Sequence, residues 1–167
     1  MFKEISAREI KDNLIEIISD EWMLVSSGNR DSYNMMTASW GFAGEMWGKD
    51  CAIAMVRPQR YTYEFMNKND NFALSFYGSG GKDVIHKICG SKSGRDVDKA
   101  ALTGLTPIFD CDTVYFEQAR LVIICKKQYV QPMKKEFVTT GEPLRWYPAE
   151  DYHTMFIGEI QKVLIKE

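Results

Sequence analysis

The chain has 167 residues, a length that suits one domain burying roughly 70% of its unfolded surface without staples. Hydrophobic residues at 45% and charged residues at 26% exclude disordered and fibrous classes. Lys+Arg 21 against Asp+Glu 23 leaves a net charge of -2, so no global field draws nucleic acid or an anionic membrane.

The chain opens with a helix signature over residues 1–19. Ser6 and Glu9 form a capping-box pair, and Ile10, Leu14, Ile17 and Ile18 then repeat on one face. This stripe is expected to pack as an N-terminal helix on the sheet that follows, inside a single domain of residues 1–167. WMLVSSGN (22–29) and YNMMTAS (33–39) read as two strands of a hairpin. CAIAMV (51–56) is a buried strand stopped by Arg57-Pro58, and Arg60 to Asn69 turns helical, with Tyr61, Phe65 and Met66 on one face. NFALSFYG (71–78) is a further strand, and KDVIHKIC (82–89) and DVDKAALTG (96–104) read as short helices around GSKSG. The second half turns to strands, one or two within 113–131 and another over 153–165, where Gly158 marks a bulge or a close approach. With no repeat, no linker and no regular βαβ alternation, the residues predict a mainly β fold: a barrel or closed sheet with short inserted helices.

Cys51, Cys89, Cys111 and Cys125 include no C-x-x-C pair, and His86 and His153 are the only histidines, so neither a zinc site nor a disulfide framework is expected. Buried free thiols in a reducing cytoplasm fit better, and no window approaches the ~20 apolar residues of a membrane span. Self-contained catalytic sets are missing as well. GSGGKD (78–83) lacks the phosphate-loop spacing, because Asp83 follows Lys82 where a hydroxyl is required. No G-x-S-x-G or H-E-x-x-H occurs. Chemistry, if there is any, is then expected to reside in a bound cofactor.

Three segments ask for an anion and a flat ring. YNMMTASWGFAGEMWGK (33–49) gathers Asn34, Thr37, Ser39, glycines and two tryptophans, which allow close backbone approach and a stacking face. The plainer account is a strand end and a loop anchored by Trp40 and Trp47. VRPQRYT (56–62) places Arg57, Arg60 and the Thr62 hydroxyl at a helix start, suited to phosphate, or simply makes a turn with two solvated arginines. CGSKSGRDVDK (89–99) adds Lys92, Ser93 and Arg95, and its Ser93–Asp96 pattern also reads as a helix cap. One phosphate-bearing aromatic ligand accounts for all three together. The aromatic content of 13% fits that demand.

MTASW (36–40), VRPQRYT (56–62), CGSKSGRDVDK (89–99) and DYHTMFIGEI (151–160) resemble, in order, the flavin reductase-like FMN-binding proteins, a branch that includes flavoredoxin. The resemblance spans about residues 20 to 165. It implies an FMN-binding split β-barrel of Greek-key type, with short inserted α-helices and a homodimer holding flavin near its interface. It implies hydride transfer from NAD(P)H to flavin, or alternatively electron transfer through FMN reduced by a redox protein partner. Carried over by position, Asn34, Thr37, Ala38, Ser39 and Trp40 would line the ring. Arg57, Arg60 and Thr62 would hold the phosphate, with Lys92 and Ser93 reaching phosphate or ring. His153 matches a histidine near the ring and the incoming nicotinamide, against a strand-start histidine facing solvent. His86 is expected to pack or point outward. Where related sequences continue SWG with another Gly, this chain has Phe42, which is expected to narrow the approach to the flavin. A flavin-free barrel binding another phosphate ligand, such as pyridoxal phosphate, is a further alternative.

Overall fold

Apolar runs punctuated by Gly, Asn and Asp turns produce ten strands joined by short helical turns, and the computed structural model describes all of residues 1–167. The strands are β1 (Phe2–Ile5), β2 (Met23–Gly28), β3 (Tyr33–Ala38), β4 (Gly41–Met46) and β5 (Lys49–Val56), then β6 (Asn71–Phe76), β7 (Pro107–Asp110), β8 (Thr113–Phe116), β9 (Leu121–Pro132) and β10 (Thr154–Lys166). Four short α-helices intervene: α1 (Leu14–Glu16), α2 (Thr62–Lys68), α3 (Lys87–Ser91) and α4 (Lys99–Thr103).

The main sheet is antiparallel and runs β3-β2-β6-β9-β10-β5-β4, with β1 added on β10; β7 and β8 form a separate ribbon. Its two ends, β3 and β4, are joined in the chain by Ser39 and Trp40 alone. Such a short link requires the sheet to curl until its ends meet, yet no ladder joins them. Of the barrel and the closed sheet read from the residues, the structure has the barrel, split along the β3–β4 seam as the resemblance implies. Val25, Ala54, Phe72, Ile123 and Phe156 fill the interior.

The expected N-terminal helix is also corrected. Ser6 and Glu9 do form the capping box, but on a single 3-10 turn, Ala7–Glu9, preceded by β1. Asn13 then caps a second start, and the chain passes through α1 into a π-type turn, Ile17–Glu21. Two competing caps break the helix, while its apolar stripe still packs on the core through Ile10, Leu14, Ile17 and Ile18. The helix read over 96–104 shrinks to α4, because Asp98 rather than Ser93 supplies the cap. Strands β4 and β7 have no counterpart among the expected elements.

The hairpin between β2 and β3 closes at Gly28, whose φ of 125° excludes side chains with a Cβ. Gly158 interrupts the β9–β10 register, and a Cβ there would lie 2.6 Å from that of Cys125 and 2.7 Å from the Phe72 ring. It is both a bulge and a close approach.

Candidate functional site

At the seam lies a cavity of about 260 Å³. The end of β3 and its link supply Met36, Thr37, Ala38, Ser39 and Trp40; the end of β5 supplies Met55 and Arg57. Arg60 enters from the turn before α2, and Trp146 and His153 from the segment between β9 and β10. Strand pairing stops at Ala38, so backbone and small polar groups face open space instead of a neighbouring strand.

The three anion-seeking segments meet pairwise here. Asn34 Nδ2 donates to Thr62 Oγ1 at 2.9 Å, joining the first to the second. Arg60 Nη2 donates to the Cys89 carbonyl at 2.9 Å, joining the second to the third. The third lies along β3: Gly90 sits against Thr37, and Gly94 is so close to Asn34 that a Cβ would fall 2.1 Å from its Oδ1. Asn34 and Thr62 are buried beside the cavity and bonded to one another, and Asn34 also borders a second cavity of about 480 Å³ with Gly94 and Lys99. Lys92, exposed, and Ser93 stand on the loop above β3 and do not line the seam cavity. Lys99, which sequence reading passed over, is buried with its amine bonded to the carbonyls of Met35 and Cys89, and burial lowers its pKa to about 8.

Residues 133–153 form a strap across the cavity mouth, with 3-10 turns at Lys135–Phe137 and Glu142–Trp146. Arg57 clamps it. Its Nη1 donates to Asp151 at 2.6 Å, its Nη2 to the Trp146 carbonyl at 2.9 Å, and its guanidinium lies 5.2 Å from the Tyr147 ring centroid. Gln59 also donates to Asp151. The clamp brings Trp146 edge-on to Trp40, with centroids 5.6 Å apart.

His153 is buried rather than solvent-facing: its Nδ1 lies 2.8 Å from the Tyr147 hydroxyl, and its ring lies 4.8 Å from that of Trp40. Burial, reinforced by Arg57 and opposed by Asp151, lowers its pKa to about 4, so the imidazole is neutral near pH 7. Burial also lowers the Arg60 pKa, and no carboxylate pairs with that guanidinium. Phe42 points out from β4, 63% exposed, and does not line the cavity, so the expected narrowing does not occur there. His86 is buried, as packing predicts, and touches Thr37.

Sequence reading missed the clamp residues Asp151, Trp146 and Tyr147. Their only local signal was an aromatic and acidic cluster in a stretch without periodicity. The assembled cavity offers an indole face, small hydroxyls, a neutral imidazole and one unpaired guanidinium, which together suit a planar ligand carrying an anion.

The family profile described as flavin reductase like domain matches residues 17–167. Among solved structures, the chain is similar to flavoredoxin of Desulfovibrio vulgaris (Miyazaki F), at 25% identity over 87% of this chain and 69% of that one, with a TM-score of 0.68. Flavoredoxin from Methanosarcina acetivorans gives 19% identity over 88% and 69%, with a TM-score of 0.69. An FMN-binding protein from Thermus thermophilus gives 23% identity over 85% and 68%, with a TM-score of 0.65. No curated protein matches the sequence.

Proposed function

The chain belongs to the flavin reductase-like family, and from that premise we propose that it is an FMN flavoprotein oxidoreductase whose flavin is reduced by NAD(P)H. The unpaired Arg60 guanidinium in a cavity walled by Trp40 carries this reading, because a half-buried cation without a counter-charge fits a phosphate-bearing ligand. The cavity's volume, about 260 Å³, lies below the ~300–1,000 Å³ usual for small-molecule pockets, so FMN would extend beyond it, along the loop bearing Lys92 and Ser93.

Bound FMN supplies hydride and electron chemistry, so no protein nucleophile or metal is called for. Arg60 would neutralise the phosphate. Thr37, Ala38, Ser39 and Trp40 would orient the ring, with Asn34 and Thr62 bracing β3 from beneath. Arg57 would serve by holding the strap rather than by meeting the phosphate, since Nη1 and Nη2 each donate into the strap, to Asp151 and to the Trp146 carbonyl. His153, neutral and braced by Tyr147, would offer the donor an uncharged polar face.

A second reading, electron transfer with a protein reductant, is favoured by Trp146, which is 51% exposed while its ring touches Trp40. Anaerobic mixing of protein, FMN and NADH or NADPH tests the first reading: the flavin should bleach with one nicotinamide. Tight FMN binding without bleaching supports the second, and failure to bind FMN removes both.

A homodimer is part of the proposal. Phe42, Ile53, Ile157 and Tyr129 lie in register across β4-β5-β10-β9, and Phe42 and Tyr129 are exposed on that face. Trp47 packs beside Tyr129, extending an apolar surface suited to a second copy. No helix is long and apolar enough to cross a membrane.

A further inference from the structure

His86 is almost wholly buried in the turn before α3, and Trp22 and Tyr77 meet its ring edge-on, each with centroids 6.0 Å away. Its Nδ1 lies 3.1 Å from Oγ1 of Thr37, and the same oxygen lies 3.1 Å from the His86 carbonyl oxygen. Nε2 is buried without a partner. Thr37 in turn lines the seam cavity.

A threonine hydroxyl has one proton and two lone pairs, so it donates either to Nδ1 or to the carbonyl. If Nδ1 took the proton, the ring's own proton would sit on Nε2, an N–H buried without an acceptor. The Thr37 oxygen would also face the carbonyl oxygen with no proton between them. If the carbonyl takes it, Nδ1–H donates to Thr37 and both contacts are satisfied. Only a lone pair on Nε2 then goes unused, and buried orphan N–H groups are rarer than under-satisfied acceptors. Burial, with the Lys82 charge beside it, lowers the His86 pKa to about 4, so a doubly protonated ring does not compete near neutral pH.

We propose that His86 is a positioning residue which, as its Nδ1–H tautomer, locks the Thr37 hydroxyl so that Thr37 offers the cavity a lone pair and no proton. Thr37 then accepts from a ligand N–H or O–H and disfavours a ligand carbonyl. This last step rests on the flavin reading of the cavity, where the matching group is the imide N–H of the oxidised ring, the only N–H that ring carries.

Two measurements test the lock and its consequence separately. In FMN-free protein labelled with 15N-histidine, long-range 1H–15N spectra at pH 7 should show His86 protonated on Nδ1. Protonation on Nε2 would overturn the proposal, whatever becomes of the flavin reading. FMN titrations then compare His86→Leu, which removes the donor, with His86→Asn, which keeps an N–H in its place, and with Thr37→Val. His86→Leu and Thr37→Val should each weaken binding about tenfold, with the double variant no worse than either and His86→Asn near wild type. Additive losses, or equal losses in the Asn and Leu variants, would overturn the lock. N3-methylated FMN should bind the wild type about tenfold more weakly than FMN, and equal binding would overturn the imide assignment. A wild type that binds no FMN would remove the flavin reading and leave the tautomer result to decide the lock.

Discussion

Arg57 and Asp151, 94 positions apart in the chain, form an ion pair at 2.6 Å that fastens the strap to the end of β5. The pair is partly buried and bears directly on how the strap covers the seam cavity. Asp151→Asn should speed FMN dissociation at least about threefold while changing association less, since contact losses act mainly on the off-rate. The reversed pair, Arg57→Asp with Asp151→Arg, should restore slow release. Stopped-flow displacement of FMN measures both, and an unaltered off-rate in Asp151→Asn would separate the strap from flavin retention.

Arg60→Ala should cost about 1.5–3 kcal/mol of FMN binding through a lost charge-assisted bond. That is roughly tenfold to a hundredfold in affinity, read by quenching of flavin fluorescence. Riboflavin, which has no phosphate, should bind wild type and variant alike. A variant that loses riboflavin as strongly as FMN would move Arg60 from the phosphate to the ring.

His86 and His153 both have pKa values lowered to about 4 in the folded chain, each chiefly by burial. In the unfolded chain each titrates near ~6.5, so between these values the unfolded state binds more protons and stability falls as pH falls. The stabilisation is fully present above about pH 6.5, with a slope of up to about 2.7 kcal/mol per pH unit when both contribute. Urea unfolding at pH 7 and pH 4.5 measures it, and His153→Asn should roughly halve the difference. An unchanged difference would show that His153 is not held neutral by the fold.

Phe42→Lys should convert a dimer to a monomer in sedimentation velocity, because it sets a charge in the centre of the exposed β4 face. A sedimentation coefficient equal to the wild type's would place self-association elsewhere or remove it. Because the proposed dimer holds flavin near its interface, the monomeric variant should also bind FMN more weakly.

The apolar runs were legible because a buried strand is apolar over most of its length, and β2, β5, β6 and the buried first half of β9 stand near their expected places. The edge strand β4 was not. Of its residues, GFAGEM, only Gly41 and Ala43 are half-buried and two are glycines, so no apolar run marks them. Of the three segments that residue chemistry singled out, the first two line the seam cavity through residues such as Ser39 and Arg60, while the third packs beside it with Lys92 and Ser93 outside the lining. The role of Arg57 was not readable, because its partner Asp151 lies beyond any local window. His153 left both accounts open for the same reason, since its burial depends on Trp40 and Tyr147.

Both ends of the strap rise from one rung of the sheet: Pro132 stands opposite Thr154, and the Met133 amide donates to the His153 carbonyl at 2.9 Å. Insertions between those points leave the ladder intact, and each doubling of loop length adds only about 0.6 kcal/mol to the closure cost. The strap is thus a replaceable part. Recombination or grafting between Met133 and Tyr152 can alter what enters the cavity while the barrel goes on folding from the same register.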